Sequence, residues 1–138
     1  MSANRKVINA FREDINEMAR VGFIPIGSEN TIEVYVHTND AGKVPHFHVR
    51  KYGRNNSFEW ETCIKLEKAE YFLHGRYKDK LPNRKTAKAL QDMLSSEYGK
   101  PGFSGTYWHF AIAMWNANNS SVEIEVNDDS KQPDYSKL

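Results

Sequence analysis

Residues 31–52 read TIEVYVHTNDAGKVPHFHVRKY and hold the most regular pattern of the chain. Ile32, Val34 and Val36 alternate with polar or aromatic residues, which is typical of a β-strand with one apolar face. The NDAG segment at 39–42 supplies residues that favour a tight turn. The pattern therefore predicts a β-hairpin.

The second strand of this hairpin begins with PHFHV at residues 45–49. Because residues two apart on a strand point to the same face, His46 and His48 are expected side by side, opposite Phe47. Pro45 has no backbone N–H to donate, which places it at a strand start or a sheet edge. The hairpin also brings His37 back near the pair.

Alternating apolar residues outside the hairpin predict the rest of the sheet. A third strand is expected at 58–64, with Glu59 and Glu61 on a solvated face. The apolar segment at 71–73 is a candidate fourth strand, and a short last strand is expected at 121–126.

Helical spacing of apolar residues predicts three helices, over residues 5–20, 83–98 and 107–117. Gly22 is the expected stop signal of the first helix, and Asn83 the expected N-cap of the second. The third segment also fits a strand, because a short apolar run does not separate the two structures. Its large aromatic residues are expected in the core in either case: Trp108, Phe110 and Trp115.

Length and composition set the fold class. A chain of 138 residues with 39% hydrophobic residues can bury a core of its own. We expect one α+β domain over 1–126, a small antiparallel sheet of three to five strands packed on one face by helices, and a disordered tail at 127–138. The lone Cys63 fits a reducing compartment. Without a signal-peptide core or a bilayer-length apolar segment, we expect a cytoplasmic location and no membrane contact.

The net charge of +1 conceals an uneven distribution of charged residues. Between residues 74 and 88, six bases accompany the single acid Asp79: Arg76, Lys78, Lys80, Arg84, Lys85 and Lys88. Such a run attracts phosphate groups, although it is also typical of a solvated helix face.

The histidine pair allows a metal-binding interpretation. His46 and His48 supply half of a zinc site, and His37 is a third candidate ligand for a divalent metal. Further donors are available on the third strand and farther along the chain: Glu59, Glu61, His74 and His109. No His-Glu-x-x-His spacing and no cysteine pair accompanies them.

A second interpretation makes His46 and His48 catalytic residues that act on a phosphate ester by acid–base or nucleophilic chemistry. The run from His46 to Arg50 partly resembles the His-x-His-x-His strand of histidine-triad nucleotide hydrolases. Arg50 stands in place of the third histidine, and the motif lies in the middle of the chain.

Two further interpretations need no catalysis. In the first, the pair joins Arg50 and the basic helix to contact nucleic acid, through His46, His48, Arg50, Arg84 and Lys85. In the second, the two imidazoles are structural and hydrogen-bond to neighbouring backbone or carboxylate groups.

The order of elements resembles a family of small prokaryotic domains of unknown function with a Pro-Pro-His-Phe/Val-His-Val strand. The similarity rests on PHFHV at 45–49, LPNR at 81–84 opening a helix, and Trp115 closing another, and it covers about residues 31–118. Members are often encoded near toxin–antitoxin or mobile-element systems. Here Val44 replaces the first proline, and residues 97–106 look inserted. The resemblance implies an α+β fold with the histidine pair as its functional spot, and no activity.

We expect a non-enzymatic binding or regulatory module of prokaryotic or phage origin, in a toxin–antitoxin-like or nucleic-acid-associated setting, with nucleic acid or a partner protein as ligand. The alternative is a small histidine- or metal-dependent phosphoesterase or nuclease that uses His46 and His48.

Overall fold

The computed structural model describes residues 18–25, 31–37, 44–53, 57–119, 123–125 and 130–138. Its strands form one antiparallel sheet in chain order: β1 (Met18–Pro25), β2 (Thr31–His37), β3 (His46–Tyr52) and β4 (Phe58–Lys65). Two helices, α1 (Arg84–Ser95) and α2 (Tyr107–Asn118), pack against this sheet. The expected α+β class is confirmed. Neither helix is long and apolar enough to span a lipid bilayer.

The register of the sheet sorts its side chains into two faces. Val34 lies opposite Val49, and Val49 lies opposite Thr62, so these three share the face that packs against the helices. On the other face, Tyr35 lies opposite His48. The predicted hairpin and the strand start after Pro45 are both confirmed.

The helices bury their large aromatic residues against the sheet, and the ring of Trp115 lies 5.3 Å from that of His46 at the start of β3. Trp108, Phe110 and Trp115 are at most 4% exposed, as predicted. Trp108 also donates its indole N–H to the carbonyl oxygen of Leu66 at 3.0 Å. Residues 107–117 fit either a helix or a strand by their pattern. They form a helix, which packs on the sheet without joining it.

The predicted first helix is wrong at its C-terminal end. Most of it lies outside the described residues, but residues 18–20 belong to β1, which pairs with β2. Gly22 is not a helix stop; it lies at a register shift in β1. A Cβ atom there would approach the terminal methyl of Met93 to 2.7 Å. Sheet pairing and close packing thus outweigh the local helical spacing.

Two predicted strands are not found among the described residues. At 71–73, the structure has only a bridge between Tyr71 and Ile64. In the last predicted strand, the described residues 123–125 are not extended into a sheet. Instead, Ile124 donates its N–H to the side chain of Asn116 at 2.7 Å and accepts from it at 2.9 Å. An α2 side chain therefore takes the hydrogen bonds that a neighbouring strand would offer.

The predicted disordered tail is wrong for residues 130–138. Tyr135 is fully buried, and its ring meets Phe47 edge-on at 5.4 Å between centroids. Its hydroxyl lies 2.9 Å from the carbonyl oxygens of Lys65 and Leu66. The polar composition of this segment conceals one aromatic anchor.

Helix α1 begins as predicted, with Asn83 as its N-cap. The Asn83 side-chain oxygen accepts hydrogen bonds from the backbone N–H and the hydroxyl of Thr86, at 2.9 and 3.0 Å. We expect Asn83→Ala to lower the free energy of unfolding by about 1 kcal/mol in urea denaturation. Asn83→Asp should retain most of the stability, and an equal loss in both variants would contradict the capping role.

Candidate functional site

The sheet face opposite the helices carries a compact group of polar and aromatic side chains. Because β3 lies between β2 and β4, alternate positions of all three strands meet on this face. We call the group the histidine cluster; its members are Tyr35, His37, His46, His48, Glu61 and Cys63. The rings of His37 and His46 lie 4.3 and 5.2 Å from that of His48. The predicted same-face histidine pair and the nearby His37 are therefore present.

The segment that follows β4, residues 66–83, lies against the histidine cluster, and we call it the cap. The ring of Phe72 lies 4.9 Å from that of His46, and Tyr77 meets His48 edge-on at 4.7 Å. The cap turns sharply where His74 and Tyr77 exchange two backbone hydrogen bonds. His46 and His48 have no exposed surface at all. The cluster is thus part of the protein interior.

Glu61 is the acceptor at the centre of the cluster. Its carboxylate accepts hydrogen bonds from the Tyr35 hydroxyl and from Nδ1 of His48, the latter at 3.0 Å. Burial alone would raise the pKa of Glu61, but the hydrogen bonds from His48 and Tyr35 hold it below its ordinary value. Burial and the contact with Glu61 together raise the pKa of Tyr35 far above its ordinary value. At neutral pH, Glu61 is therefore ionised and Tyr35 is a donor.

The same contacts assign the histidine tautomers. Nδ1 of His46 lies 2.7 Å from the carbonyl oxygen of Val44, which can only accept, so Nδ1 carries the proton. Nδ1 of His48 faces the ionised Glu61 and carries its proton too. In both rings, Nε2 is then the nitrogen with the lone pair. Both histidines are in the tautomer that coordinates a metal through Nε2.

Two groups of three potential ligands lie inside the cluster. One consists of His46, His48 and Cys63; the other consists of His37, His48 and Glu61. In each group, one ligand atom per residue lies within 4.8 Å of the others. His48 belongs to both groups, so they are alternatives that meet at one imidazole.

Sequence reasoning missed one member of the cluster, Cys63, and misplaced another, Glu61. Glu61 was expected on a solvated face with Glu59, but only Glu59 is exposed, and Glu61 is 6% exposed. Cys63 was considered only for the redox compartment that it indicates, yet it lies directly opposite His48 in the β3–β4 register. The alternation along β4 already assigns Cys63 and Glu61 to one face; the missing information was the register.

The two other histidines predicted as donors lie outside the histidine cluster, one in the cap and one on α2. The ring of His74 in the cap is 5.2 Å from that of His46. His109 lies on α2, where its side chain and that of Thr106 form a capping box at the helix start. It is therefore a capping residue.

The residues predicted to contact nucleic acid do not share one surface in this structure. Arg50 donates to Glu33 at 2.7 Å and lies over the ring of Tyr35. Arg84 and Lys85 are exposed in the first turn of α1. His46 and His48, in contrast, are sealed inside, so a polymer would reach them only if the cap moved.

The cap and the first turns of α1 carry six exposed basic side chains, which we call the basic strip. Its side chains are Arg76, Lys78, Lys80, Arg84, Lys85 and Lys88, all exposed. Asp79, the only acid between residues 76 and 88, accepts a hydrogen bond from the backbone N–H of Glu61 at 3.2 Å. Asp79 is exposed as well, and Lys88 pairs with Asp92 at 3.3 Å along α1.

In comparisons with known proteins, no family model, no curated protein and no solved structure matches the chain. The resemblance to the family with the Pro-Pro-His-Phe/Val-His-Val strand therefore stays a prediction.

Proposed function

We propose that the chain is a non-enzymatic binding module whose ligand is nucleic acid, contacted by the basic strip. The exposure of all six cations of this strip carries the proposal. Lysine and arginine side chains neutralise phosphates and release condensed counterions, which supplies sequence-independent affinity. A cluster of exposed cations close together in sequence is the footprint expected for such binding.

The position of the strip on α1 adds a second argument. Arg84 and Lys85 occupy the first turn of the helix, and no acidic residue accompanies them there. The positive end of the helix dipole repels cations at this place, at a cost of about 0.3–1 kcal/mol for each charge. A bound phosphate would remove this repulsion and would also accept from the strip. The unfavourable placement of these two bases is thus understandable in a binding surface.

The alternative, a phosphoesterase or nuclease that uses His46 and His48, gains no support from the geometry. A catalytic residue must reach its substrate, and neither imidazole has any exposed surface. A toxin–antitoxin-like setting follows from the family resemblance alone, and binding through the strip does not depend on it.

The test neutralises the strip and measures the salt dependence of binding. We expect the wild-type protein to bind fluorescein-labelled DNA or RNA of mixed sequence, with affinity falling steeply as salt rises. The fourfold variant Lys78→Gln, Lys80→Gln, Arg84→Gln, Lys85→Gln should bind at least about tenfold more weakly at low salt and show a salt slope smaller by about three. Fluorescence anisotropy across a salt series measures both quantities.

A matched control removes four exposed lysines from elsewhere in the chain: Lys68, Lys100, Lys131 and Lys137. This variant has the same net charge as the strip variant and should retain most of the affinity. Equal weakening in both variants would mean that net charge alone attracts the probe. Failure of the wild-type protein to bind any of the probes at low salt would refute the proposal.

A further inference from the structure

The histidine cluster contains a donor set suited to a transition metal. Two imidazoles and a thiol, from His46, His48 and Cys63, are brought together on neighbouring strands β3 and β4. Nitrogen and sulfur donors of these types are the ligands that zinc prefers in proteins. All three residues are completely buried. Their arrangement does not involve the basic strip.

The spacing of one donor pair fits a tetrahedral ion. With Zn–S of about 2.3 Å and Zn–N of about 2.0 Å, sulfur and nitrogen on one tetrahedral ion lie about 3.5 Å apart. Sγ of Cys63 lies 3.6 Å from Nε2 of His48, the nitrogen that carries the lone pair, and 3.3 Å from Nδ1 of the same ring. The separation of Sγ and Nε2 is therefore already that of two ligands of one ion.

The surroundings of the ligands match the outer shell of a metal site. Metal-bound histidines usually donate their other N–H to a carboxylate or a backbone carbonyl, which orients the ring. His48 makes this contact with the carboxylate of Glu61, and His46 makes it with the carbonyl of Val44. Both types of partner are already in place.

The second group of donors is less suited to coordination. Glu61 already accepts from Tyr35 and His48. Nδ1 of His48 is the nitrogen that faces Glu61, so coordination of one ion by this atom and by Glu61 would replace the hydrogen bond between them. The group with Cys63 keeps every hydrogen bond of Glu61.

We propose that Nε2 of His46, Nε2 of His48 and Sγ of Cys63 bind one divalent transition-metal ion of the zinc class. The thiol loses its proton to the solvent on binding, and the two imidazoles coordinate in their neutral form. Three protein ligands leave one tetrahedral position for a further ligand. Because the site is sealed, the ion enters during folding or when the cap opens.

The test uses cobalt(II) as a spectroscopic substitute for zinc. The full-length protein is unfolded in guanidinium with a chelator, freed of both, and refolded with increasing cobalt(II). We expect one ion per chain, the visible bands of a tetrahedral site and a near-ultraviolet thiolate-to-cobalt charge-transfer band. Zinc should displace the cobalt, with a dissociation constant of about 50 nM or tighter.

Two variants and one control assign the ligands. Cys63→Ser should lose the charge-transfer band. His48→Gln should lower the zinc affinity at least about 100-fold, because it removes one of the three proposed ligands. His109→Gln changes a histidine outside the cluster and should bind like the wild type. Circular dichroism of each metal-depleted variant establishes that it still folds.

Some outcomes would overturn the metal site. They are a wild-type titration without the thiolate band, or cobalt binding that the Cys63→Ser and His48→Gln variants leave unchanged. In the first case, the 3.6 Å contact is an ordinary contact between a thiol and an imidazole. Neither outcome would contradict the proposed nucleic-acid binding, because the anisotropy assay tests the basic strip alone.

Discussion

Glu61→Ala is expected to lower the free energy of unfolding by about 3 kcal/mol, because two buried donors lose their acceptor. The Tyr35 hydroxyl and Nδ1 of His48 both point to the Glu61 carboxylate. Tyr35 and His48 are at most 1% exposed, so little water reaches them to replace the lost oxygen atoms. Urea denaturation followed by circular dichroism, with a chelator present to exclude metal effects, measures the loss.

Glu59→Ala is the matched control, since Glu59 is another carboxylate of β4, two residues before Glu61. The Glu59 side chain is 42% exposed and pairs with Lys51 at the surface. Its removal should therefore change the stability by less than about 1 kcal/mol. Similar losses in the two variants would mean that the effect comes from replacing a strand residue by alanine. The buried hydrogen bonds of Glu61 would then contribute little to stability. Glu61→Gln, which keeps one acceptor oxygen, should fall between the two.

The contrast between Glu59 and Glu61 shows how far the sequence can predict the site. Alternation predicts both carboxylates on one face of β4, but the register shift between Lys51 and Tyr52 lies beside Glu59, which pairs with Lys51 at the surface. Whether a β4 side chain is buried is a separate property, because it depends on which segment covers that face of the sheet. The cap has no periodic pattern, so its path over the cluster cannot be derived from local spacing. The histidine hairpin was predictable for the opposite reason: strict alternation, a turn and a second strand lie within 22 residues.

Tertiary contacts also explain the errors outside the site. Residues 18–20 fit a helix by spacing, but the open edge of β2 offers them backbone partners, and they form β1. Ile124 alternates with polar residues as a strand would, yet the Asn116 side chain supplies both of its backbone hydrogen bonds. In both cases the competing partner lies at least eight residues away, beyond the reach of a local pattern.

The cap connects the two proposed binding sites. Its Tyr77 packs against His48, while Arg76 and Lys78 on either side are exposed as part of the basic strip. One short segment therefore covers the metal ligands on its inner side and presents cations on its outer side. For this reason both assays use the full chain, and the strip variant leaves Tyr77 unchanged.

Tyr135→Ala is expected to cost about 3–5 kcal/mol of unfolding free energy, the range for large aromatic residues in a core. The Tyr135 ring packs edge-on against Phe47 near the start of β3, and its backbone N–H donates to the Gln91 side chain of α1 at 2.8 Å. Burial raises the pKa of Tyr135, so its hydroxyl keeps the proton that it donates to backbone carbonyls. Urea denaturation measures the loss, and amide hydrogen exchange should show faster opening of α1.

Two variants in the same segment separate the contribution of the Tyr135 ring from that of its hydroxyl. Tyr135→Phe keeps the ring and removes only the hydroxyl, so it should cost about 1–2 kcal/mol, the range for a lost buried hydrogen bond. Lys137→Ala changes a side chain that is 79% exposed in the same short 3-10 helix, Tyr135–Lys137, and should be close to neutral. If Tyr135→Ala were also neutral, the segment would not be anchored in solution. The graded series would instead show that one aromatic residue secures a polar segment to the core, because its ring, hydroxyl and backbone contact three separate elements.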